Sequence, residues 1–394
     1  MISVAEALDK ALALVGPLPS EVVALQDASG RVLAAPVVAR LRQPPFAASA
    51  MDGYAVAGDP APGTTLAVIG EAAAGRRFDG AVSPGQAVRI FTGAPVPQGA
   101  TRILLQEDVT AGTGIVTTQM PVGPSTHIRA AGQEFDIGAA VNPRLLRPAD
   151  LALLASMNHA SVPVTRKPVI AIMATGDELV MPGGTLGPDQ IVSSNSFALK
   201  AMVEASGARA RLLPIAADTE ESLRTVFVLA TGADLIVTIG GASVGDHDLV
   251  GRVAESLGME RAFWKIAMRP GKPLMAGRLG SGTPLLGLPG NPVSAIVCAH
   301  LFLLPMVRRM LGLADVLPVI ARARLAVDLP PGGPRVHYMR ARLSPAGDGT
   351  QAITPMANQD SALLSMLTAA DALLIQPVGA PALTAGTWVD YLPL

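Results

Sequence analysis

The order of apolar and polar positions changes twice along the chain and divides it into three parts. Between residues 168 and 317, short apolar runs alternate with amphipathic stretches, which predicts strands alternating with helices. The predicted strands are 169–173, 209–214, 234–239 and 284–288, and the predicted helices are 196–206, 220–230, 249–257 and 292–310. Alternation at this spacing predicts right-handed βαβ units and a doubly wound, mostly parallel sheet with helices on both faces.

The parts on either side of this region have mainly β character. Residues 44–138 contain short β-rich runs between Gly and Pro turns, which predicts a small β domain. Residues from 318 onward return to β character, with one helix-like stretch at 361–367. Near the start, Ser3 and Glu6 form a capping box that predicts a helix over 3–15, and a second helix is predicted over 147–156.

Composition narrows the class of protein. A chain of 394 residues is expected to form two to four domains. Charged residues make up 15% and the net charge is -1, which argues against a nucleic-acid partner. The longest apolar run, 295–307, is shorter than the roughly 20 residues that span a bilayer. The N-terminus lacks the pattern of a signal peptide, so we expect a cytoplasmic protein without a membrane partner.

Glycine-rich and acidic segments follow three of the predicted strands, at 175–178, 240–248 and 289–292. In a doubly wound sheet, ligands bind outside the carboxyl ends of the strands. Glycines allow backbone N–H groups to approach a phosphate, and Asp246 and Asp248 are suitable oxygen ligands for Mg²⁺. The alternative for any one loop is a tight strand-to-helix turn, but three such loops favour a phosphate site.

A cationic segment, 263–273, contains Lys265, Arg269 and Lys272 within eight residues and is stiffened by two prolines and a glycine. Cations on a fixed loop hold a compact oxyanion with little loss of entropy. The alternative is a solvated basic turn, and the flanking aromatic pair at 263–264 argues for burial instead.

Two further residues have simple structural explanations. Chemistry alone predicts a turn at Asp52 and core packing for Cys298. Because Cys298 is the single cysteine, an intrachain disulfide and a multi-cysteine zinc site are excluded.

Six segments carry a resemblance to a known family. In chain order they are SAMDGYAV (49–56), TGAPVP (92–97), TGDEL (175–179), GGASVGDHD (240–248), FWKIAMRPGKP (263–273) and GLPGNPVSA (287–295). Together they closely resemble the molybdopterin molybdenumtransferases of the MoeA type, which include the E domain of gephyrin. The resemblance covers essentially the whole chain.

The resemblance implies four domains and a homodimer with its active site at the subunit interface. The implied domains are an elongated helical N-terminal domain (1–43 and 139–167), an inserted β domain (44–138), an α/β molybdopterin-binding domain (168–317) and a C-terminal β-barrel (318–394). The implied reaction takes adenylylated molybdopterin and molybdate, uses Mg²⁺, and releases the finished cofactor and AMP. A transient contact with the molybdopterin adenylyltransferase is a further expected partnership.

The resemblance also implies a set of functional residues. The implied catalytic residues are Asp52, Glu134, Glu178, Asp218, Asp248 and Lys265, of which Asp218 and Asp248 are the implied metal ligands. The implied substrate-binding residues are Thr92, Gly240, Gly241, Ser243, Gly245, Arg269, Lys272, Pro273, Ser294, Arg340 and Ser361. Two positions depart from the family pattern: Glu134 replaces an Asp found in many members, and Arg269 stands where some members carry Lys.

Charge neutralisation and positioning are the expected catalytic work. Molybdate is a dianion and the molybdopterin dithiolene is attached to phosphate, so cations are needed to offset their repulsion. The two alternative functions are a scaffold, as gephyrin also is, and the adenylyltransferase that makes the activated substrate. A scaffold is disfavoured because the sequence has no long linker and no second catalytic domain. An adenylyltransferase is disfavoured because it would not need the β domain, the MDGY segment or the C-terminal barrel.

Overall fold

The computed structural model describes residues 1–241, 249–347 and 349–394. The chain divides into two compact units. The larger unit comprises Met1–Glu21, Gly30–Ala34 and Val164–Leu394, and the smaller unit comprises Val22–Ser29 and Ala35–Pro163.

A six-stranded mixed sheet forms the centre of the larger unit. In spatial order its strands are Arg209–Leu212, Val169–Ala174, Leu235–Ile239, Pro284–Leu288, Met275–Arg278 and Glu260–Trp264. The first four strands are parallel and are the four predicted from the sequence. The last two pair antiparallel and were not predicted. The segment 263–273 was predicted to be a cationic loop. Its first two residues, 263–264, instead form the end of an edge strand.

Helices cover both faces of this sheet, as predicted. Successive side chains of a strand point to opposite faces, and Ile170 and Ile172 lie in one buried cluster while Ala171 and Met173 lie in the other. The helices Val4–Ala13, Asn195–Ala205 and Pro292–Cys298 pack on the first face. The helices Glu220–Leu229 and Leu249–Ser256 pack on the second face.

The longest helix runs from Pro292 to Met310. It consists of α-helix Pro292–Cys298, a π-helical segment Ala299–Leu303 and α-helix Leu304–Met310. With 19 residues it is long and apolar enough to cross a membrane, although the apolar run 295–307 within it is too short to do so. However, 72% of its most apolar stretch is buried within the protein. It is therefore a core helix of the α/β region.

Five strands at the C-terminal end close into a barrel, which confirms the expected C-terminal β-barrel. Around the barrel they are Val336–Pro345, Gln351–Pro355, Ala321–Leu325, Trp388–Pro393 and Ala372–Gln376, and the last pairs with the first. The short helix Leu364–Thr368 lies near the helix predicted over 361–367. A two-residue strand, Met268–Arg269, pairs in parallel with the start of the first barrel strand. This pairing attaches the cationic segment to the barrel.

The smaller unit contains a second six-stranded sheet. In spatial order its strands are Arg102–Leu105, Gly53–Val56, Gln86–Ile90, Thr65–Ala72, Ile115–Thr118 and Val109–Gly112. The MDGY segment therefore begins an inner strand, where the sequence suggested only a turn. This unit also contains the helix Pro148–Ser156 and the strand pairs Ala48–Ser49 with Ile128–Arg129 and Val37–Val38 with Ala140–Val141.

The remaining elements are short. They are the strands Ser20–Ala24, Ser161–Thr165, Leu179–Val180 and Ile191–Val192, and the 3₁₀ turns Leu25–Asp27 and Gln106–Asp108.

Candidate functional site

The carboxyl ends of the parallel strands open on a cavity of about 630 Å³, called here the strand-end cavity. All three loops that the sequence singled out contribute to its wall. The lining includes Thr175, Gly176, Glu178, Asp218, Gly240, Gly241, Pro289, Gly290, Asn291 and Pro292. The parallel arrangement of the strands explains this convergence, because their carboxyl ends meet at one edge of the sheet.

Gly240 and Gly241 make the tight turn after the strand Leu235–Ile239. Their φ angles are 88° and 64°, a region that side chains other than glycine rarely adopt. A Cβ atom on Gly240 would lie 2.9 Å from the carbonyl oxygen of Thr175, and one on Gly241 would lie 2.2 Å from a methyl carbon of Val250. The positive φ angles and the close packing of neighbouring atoms thus favour glycine at both positions, and their contact with a phosphate stays a prediction.

Two of the predicted carboxylates, Glu178 and Asp218, line the strand-end cavity. The backbone nitrogen of Asp218 donates to the Asp177 carboxylate at 2.9 Å, which ties the loops after two neighbouring strands together. Asp248, Ser243 and Gly245 lie outside the described residues. Within 1–241, 249–347 and 349–394, no cluster of three or more His, Cys, Asp or Glu side chains has the geometry of a metal site.

The buried hydroxyl of Thr175 adds a polar atom to this wall. Thr175 is 4% exposed, and its Oγ1 has no hydrogen-bond partner among the residues that the structure describes. A buried hydroxyl normally has a partner. The strand-end cavity therefore combines carboxylates, backbone at glycine turns and an unsatisfied hydroxyl, a polar set suited to a phosphorylated ligand.

A second cavity, of about 530 Å³, adjoins the first and is called here the cationic cavity. Five predicted substrate-binding residues line it: Arg269, Lys272, Pro273, Ser294 and Ser361. Pro273, Asn291 and Ser294 line both cavities. The two cavities therefore share a wall at the start of the helix that begins at Pro292.

The loop between Arg269 and Lys272 is fixed from behind. Gly271 has a φ angle of 107°, and a Cβ atom there would lie 2.4 Å from the Cys298 sulfur. Cys298 is fully buried and packs in the core, as predicted from the sequence, and burial raises the pKa of its thiol. The cysteine is thus a packing residue that supports the loop.

Ser361 is held at the start of the helix Pro292–Cys298. Its carbonyl oxygen accepts a hydrogen bond from the backbone nitrogen of Val293 at 3.1 Å. Its hydroxyl accepts from the Asn291 amide, also at 3.1 Å. These two bonds join the segment 358–361, from the C-terminal region, to the α/β region.

Arg335 also lines the cationic cavity and is not among the residues predicted from the sequence. It directly precedes the strand Val336–Pro345. The available signal was weak, because Arg335 lies in a Gly- and Pro-rich turn outside every recognised motif.

Arg340, in contrast, is 1% exposed and is absent from the described lining of this cavity. Its Nε donates to the Gln359 side-chain oxygen at 3.3 Å, and its Nη1 donates to the carbonyl oxygens of Asp360 at 2.8 Å and Leu363 at 3.3 Å. Burial lowers the pKa of Arg340, and the nearby Asp360 carboxylate opposes this effect. A direct contact of Arg340 with an oxyanion stays a prediction.

Lys265 directly follows the edge strand Glu260–Trp264. Its φ angle is 66°, and its Nζ lies 3.8 Å from the centroid of the Trp264 ring. This is cation–π geometry. Lys265 is absent from the described lining of both cavities, so its catalytic role stays a prediction.

In the smaller unit, Asp52 and Thr92 are hydrogen-bonded. The Asp52 carboxylate accepts from the backbone nitrogen of Thr92 at 2.7 Å and from the Thr92 hydroxyl at 2.8 Å. These bonds, the backbone one first, lower the pKa of Asp52, with a smaller contribution from the charge of Arg89. The Arg89 guanidinium stacks on Phe91 at 4.7 Å and on Tyr54 at 5.1 Å.

Glu134 is exposed in the same unit. Its backbone nitrogen donates to the carbonyl oxygen of Gln43 at 2.9 Å. The functional role implied for its carboxylate stays a prediction.

Three families match successive parts of the chain. Residues 2–158 match the family described as "MoeA N-terminal region (domain I and II)". Residues 171–309 match "Probable molybdopterin binding domain", and residues 322–394 match "MoeA C-terminal region (domain IV)".

Relatives match over nearly the whole chain. A protein of Nostoc sp. named molybdopterin molybdenumtransferase is 34% identical, over 95% of this chain and 89% of its own. Molybdopterin molybdenumtransferase 2 of Mycobacterium tuberculosis is 36% identical, over 94% of each chain. The crystal structure of a molybdopterin biosynthesis MoeA protein from Pyrococcus horikoshii superimposes with a TM-score of 0.84 at 26% identity, over 100% of both chains. The chain therefore belongs to the MoeA family of molybdopterin molybdenumtransferases.

Proposed function

We propose that this protein inserts molybdenum from molybdate into adenylylated molybdopterin and releases AMP. The observation that carries the proposal is the shared wall of the strand-end and cationic cavities, formed by Pro273, Asn291 and Ser294. One cavity has the size and polar lining for a nucleotide-linked substrate, and the adjoining one has the cations for an oxyanion. A substrate occupying the first would present its reacting end to the second.

The strand-end cavity binds the adenylylated molybdopterin in this proposal. The turn at Gly240 and Gly241 brings backbone close to the phosphates, and the start of the helix at Pro292 provides a favourable dipole. Glu178 and Asp218 lie on the same wall. Ser243 and Gly245 belong to the same proposed contact on the strength of the family resemblance.

Magnesium fits this donor set, because the ion is held in proteins by one or two carboxylates together with substrate phosphate oxygens. Asp218 lines the cavity, and Asp248 is the second proposed ligand. When bound, the ion supplies charge neutralisation at the pyrophosphate.

The cationic cavity binds molybdate. Arg269 and Lys272 offset the repulsion between the dianion and the phosphate of molybdopterin, and the hydroxyls of Ser294 and Ser361 are available as donors. Two sulfur–molybdenum bonds form at the dithiol as one molybdenum–oxygen bond of molybdate breaks, and that oxygen leaves as water with the two thiol protons. Hydrolysis of the pyrophosphate consumes one water and releases AMP. Positioning and charge neutralisation are the catalytic work of the chain, with no covalent enzyme intermediate.

The remaining expectations extend this proposal. Asp52, Thr92 and Glu134 act at the active site across a homodimer interface, and Lys265 acts as a further cation. The protein works in the cytoplasm, receives its substrate in transient contact with the adenylyltransferase, and has the four domain boundaries given above, including the elongated N-terminal domain. The family resemblance supports each of these statements.

The test is AMP release by the purified protein from adenylylated molybdopterin, with Mg²⁺ and molybdate. We expect release that depends on molybdate, with a matched reaction lacking molybdate as the control. A scaffold would release no AMP under any of these conditions. An adenylyltransferase would instead consume ATP and molybdopterin and release pyrophosphate.

A further inference from the structure

The wall of the cationic cavity contains a cation that neither the sequence motifs nor the family resemblance assigned. Arg335 lines the cavity together with Arg269 and Lys272. We propose that Arg335 is a further cationic ligand of the oxyanion, and that Arg340 positions the segment 358–361. The inference rests on the proposed function, because it concerns the ligand of that same site.

Strand pairing supports the orientation of Arg335. In the parallel pairing beside the barrel, Met268 is opposite Val336 and Arg269 is opposite His337. Met268 and Val336 pack in the apolar core cluster. Side chains alternate along a strand, so His337 lies on the side opposite to Val336, and Arg269 lies on the side opposite to Met268. Arg335 directly precedes this strand and lines the cavity beside Arg269.

The charge of this cavity is unbalanced. Among the residues that the structure describes, Arg269, Lys272 and Arg335 form no ion pair, and the carboxylate on the cavity lining is that of Asp360. Three cations against one carboxylate leave a net positive lining. A compact dianion is the ligand that such a lining neutralises, because charge-assisted hydrogen bonds to its oxygens replace the missing ion pairs.

His337 supports the same description of the cavity. Burial is the main cause that lowers its pKa to about 4, and the charges of Arg269, Arg335 and Arg340 lower it further. The histidine is therefore neutral at physiological pH, so it adds no positive charge beside these arginines.

Arg340 has a different role in this arrangement. Its Nε and Nη1 donate to Gln359, Asp360 and Leu363, and its backbone nitrogen donates to the same Gln359 oxygen at 3.0 Å. The Gln359 amide donates back to the carbonyl oxygen of Arg340 at 2.9 Å. Arg340 is thus bound to the segment that presents Ser361 to the cavity, which makes it a positioning residue.

The experiment compares wild type with Arg335→Gln, Arg335→Lys and Arg340→Lys. AMP release is titrated with molybdate, molybdate binding is measured by calorimetry, and the thermal midpoint of each variant is recorded. Arg342→Gln is the matched control, because Arg342 is an exposed arginine on the same strand.

Arg335→Gln is expected to raise the half-saturating molybdate concentration by about tenfold to a hundredfold, the loss expected for one charge-assisted contact. The maximal rate should recover at high molybdate. Arg335→Lys should retain most of the affinity, because the charge remains. Arg340→Lys should lower both the maximal rate and the thermal midpoint without recovery at high molybdate, because an ammonium cannot reproduce the forked guanidinium contacts.

Unchanged molybdate affinity in Arg335→Gln, by turnover and by calorimetry, would overturn the assignment of Arg335. Full recovery of Arg340→Lys at high molybdate, with an unchanged thermal midpoint, would make Arg340 a direct ligand and overturn the positioning role. If wild type shows no molybdate-dependent AMP release, the proposed function fails by itself. Calorimetry still decides the inference in that case, since weaker molybdate binding by Arg335→Gln supports it, and absence of binding by wild type overturns it.

Discussion

Asp52 accepts two hydrogen bonds from one residue, Thr92, through the backbone nitrogen at 2.7 Å and the hydroxyl at 2.8 Å. Asp52 directly precedes the strand Gly53–Val56, and Thr92 lies two residues after the strand Gln86–Ile90. These strands pair with Gly53 opposite Ile90, which brings the two residues together. Because both bonds stabilise the charged carboxylate, they lower the pKa of Asp52.

Replacing Thr92 by valine should shift the pH dependence of AMP release. The variant loses the hydroxyl donor but keeps the backbone donor, so the pKa of Asp52 rises part of the way toward its ordinary value. If the ionised carboxylate is the active form, the acid limb of the pH–rate profile moves to higher pH. Thr92→Ser retains a hydroxyl and should follow wild type. An acid limb of Thr92→Val that coincides with wild type would contradict a role for this hydrogen bond.

Removing Lys272 should raise the molybdate concentration that the reaction requires. Lys272→Ala loses one charge-assisted contact, so the half-saturating molybdate concentration should rise about tenfold to a hundredfold. Binding of the adenylylated pterin should change less, because the proposed position of its phosphates is the strand-end cavity. Lys10→Ala, on an exposed helix surface, is the control and should match wild type. Superimposable molybdate titrations for all three proteins would mean that the oxyanion binds elsewhere.

Neutralising the proposed magnesium ligands should weaken Mg²⁺ binding and therefore Mg²⁺-dependent turnover. Asp218→Asn and Asp248→Asn preserve side-chain volume but replace a carboxylate with an amide, a poor ligand for a hard cation. We expect AMP release at limiting Mg²⁺ to fall by orders of magnitude, while circular dichroism stays that of the folded protein. Asp9→Asn, on the exposed side of the first helix, is the control. Wild-type turnover at limiting Mg²⁺ in either variant would remove that residue from the site.

A shared active site predicts complementation between two variants that are each impaired at low molybdate. Asp52→Asn and Lys272→Ala place their defects in different units of the chain. If these units meet across a homodimer interface, a mixed dimer contains one site in which both residues are intact. Random subunit exchange should then restore about a quarter of wild-type activity.

Sedimentation accompanies this measurement and should show a dimer at micromolar concentration. Each variant incubated alone is the control for residual activity. A stable, fully active monomer, or a mixture that stays inactive after confirmed exchange, would exclude the shared site.

Asp234 should stabilise the larger unit at neutral pH. Its carboxylate accepts from Arg166 at 2.7 and 2.9 Å and from the backbone nitrogen of Val169 at 2.8 Å. Burial raises the pKa of Asp234, but these hydrogen bonds and the charge of Arg166 outweigh it, so the pKa is lowered overall. We expect Asp234→Asn to lower the free energy of unfolding by about 1.5–3 kcal/mol at pH 7.

The pH dependence of this stabilisation has a definite sign. A lowered folded-state pKa contributes stability above the unfolded-state pKa of about 3.9, and that stability is lost as the pH falls through the folded-state value. The difference between wild type and Asp234→Asn in urea unfolding should therefore shrink below about pH 4. Asp390→Asn breaks an exposed ion pair with Arg322 and should cost less than about 1 kcal/mol. An equal cost for both variants would show that the Asp234 contacts add nothing beyond a surface pair.

The sequence by itself determined the elements whose signals are local. The four parallel strands have apolar runs, and the first helix has an N-cap at Ser3, whose hydroxyl accepts from the backbone nitrogen of Glu6 at 3.1 Å. The convergence of the loops at 175, 240 and 290 also followed from the sequence, because parallel strands must end at one edge. The core position of Cys298 followed from its apolar neighbours.

Only the tertiary structure decided which partners the less regular segments have. The strands Glu260–Trp264 and Met275–Arg278 form an antiparallel edge because they pair with the sheet, and their own sequence has no clear alternation. The orientations of Arg335 and Arg340 likewise depend on the pairing of the strand Val336–Pro345 with distant segments. A shift of one residue in that register would move each side chain of the strand to the opposite face. The sequence therefore shows that these arginines are present, but it does not determine which of them lines the cavity.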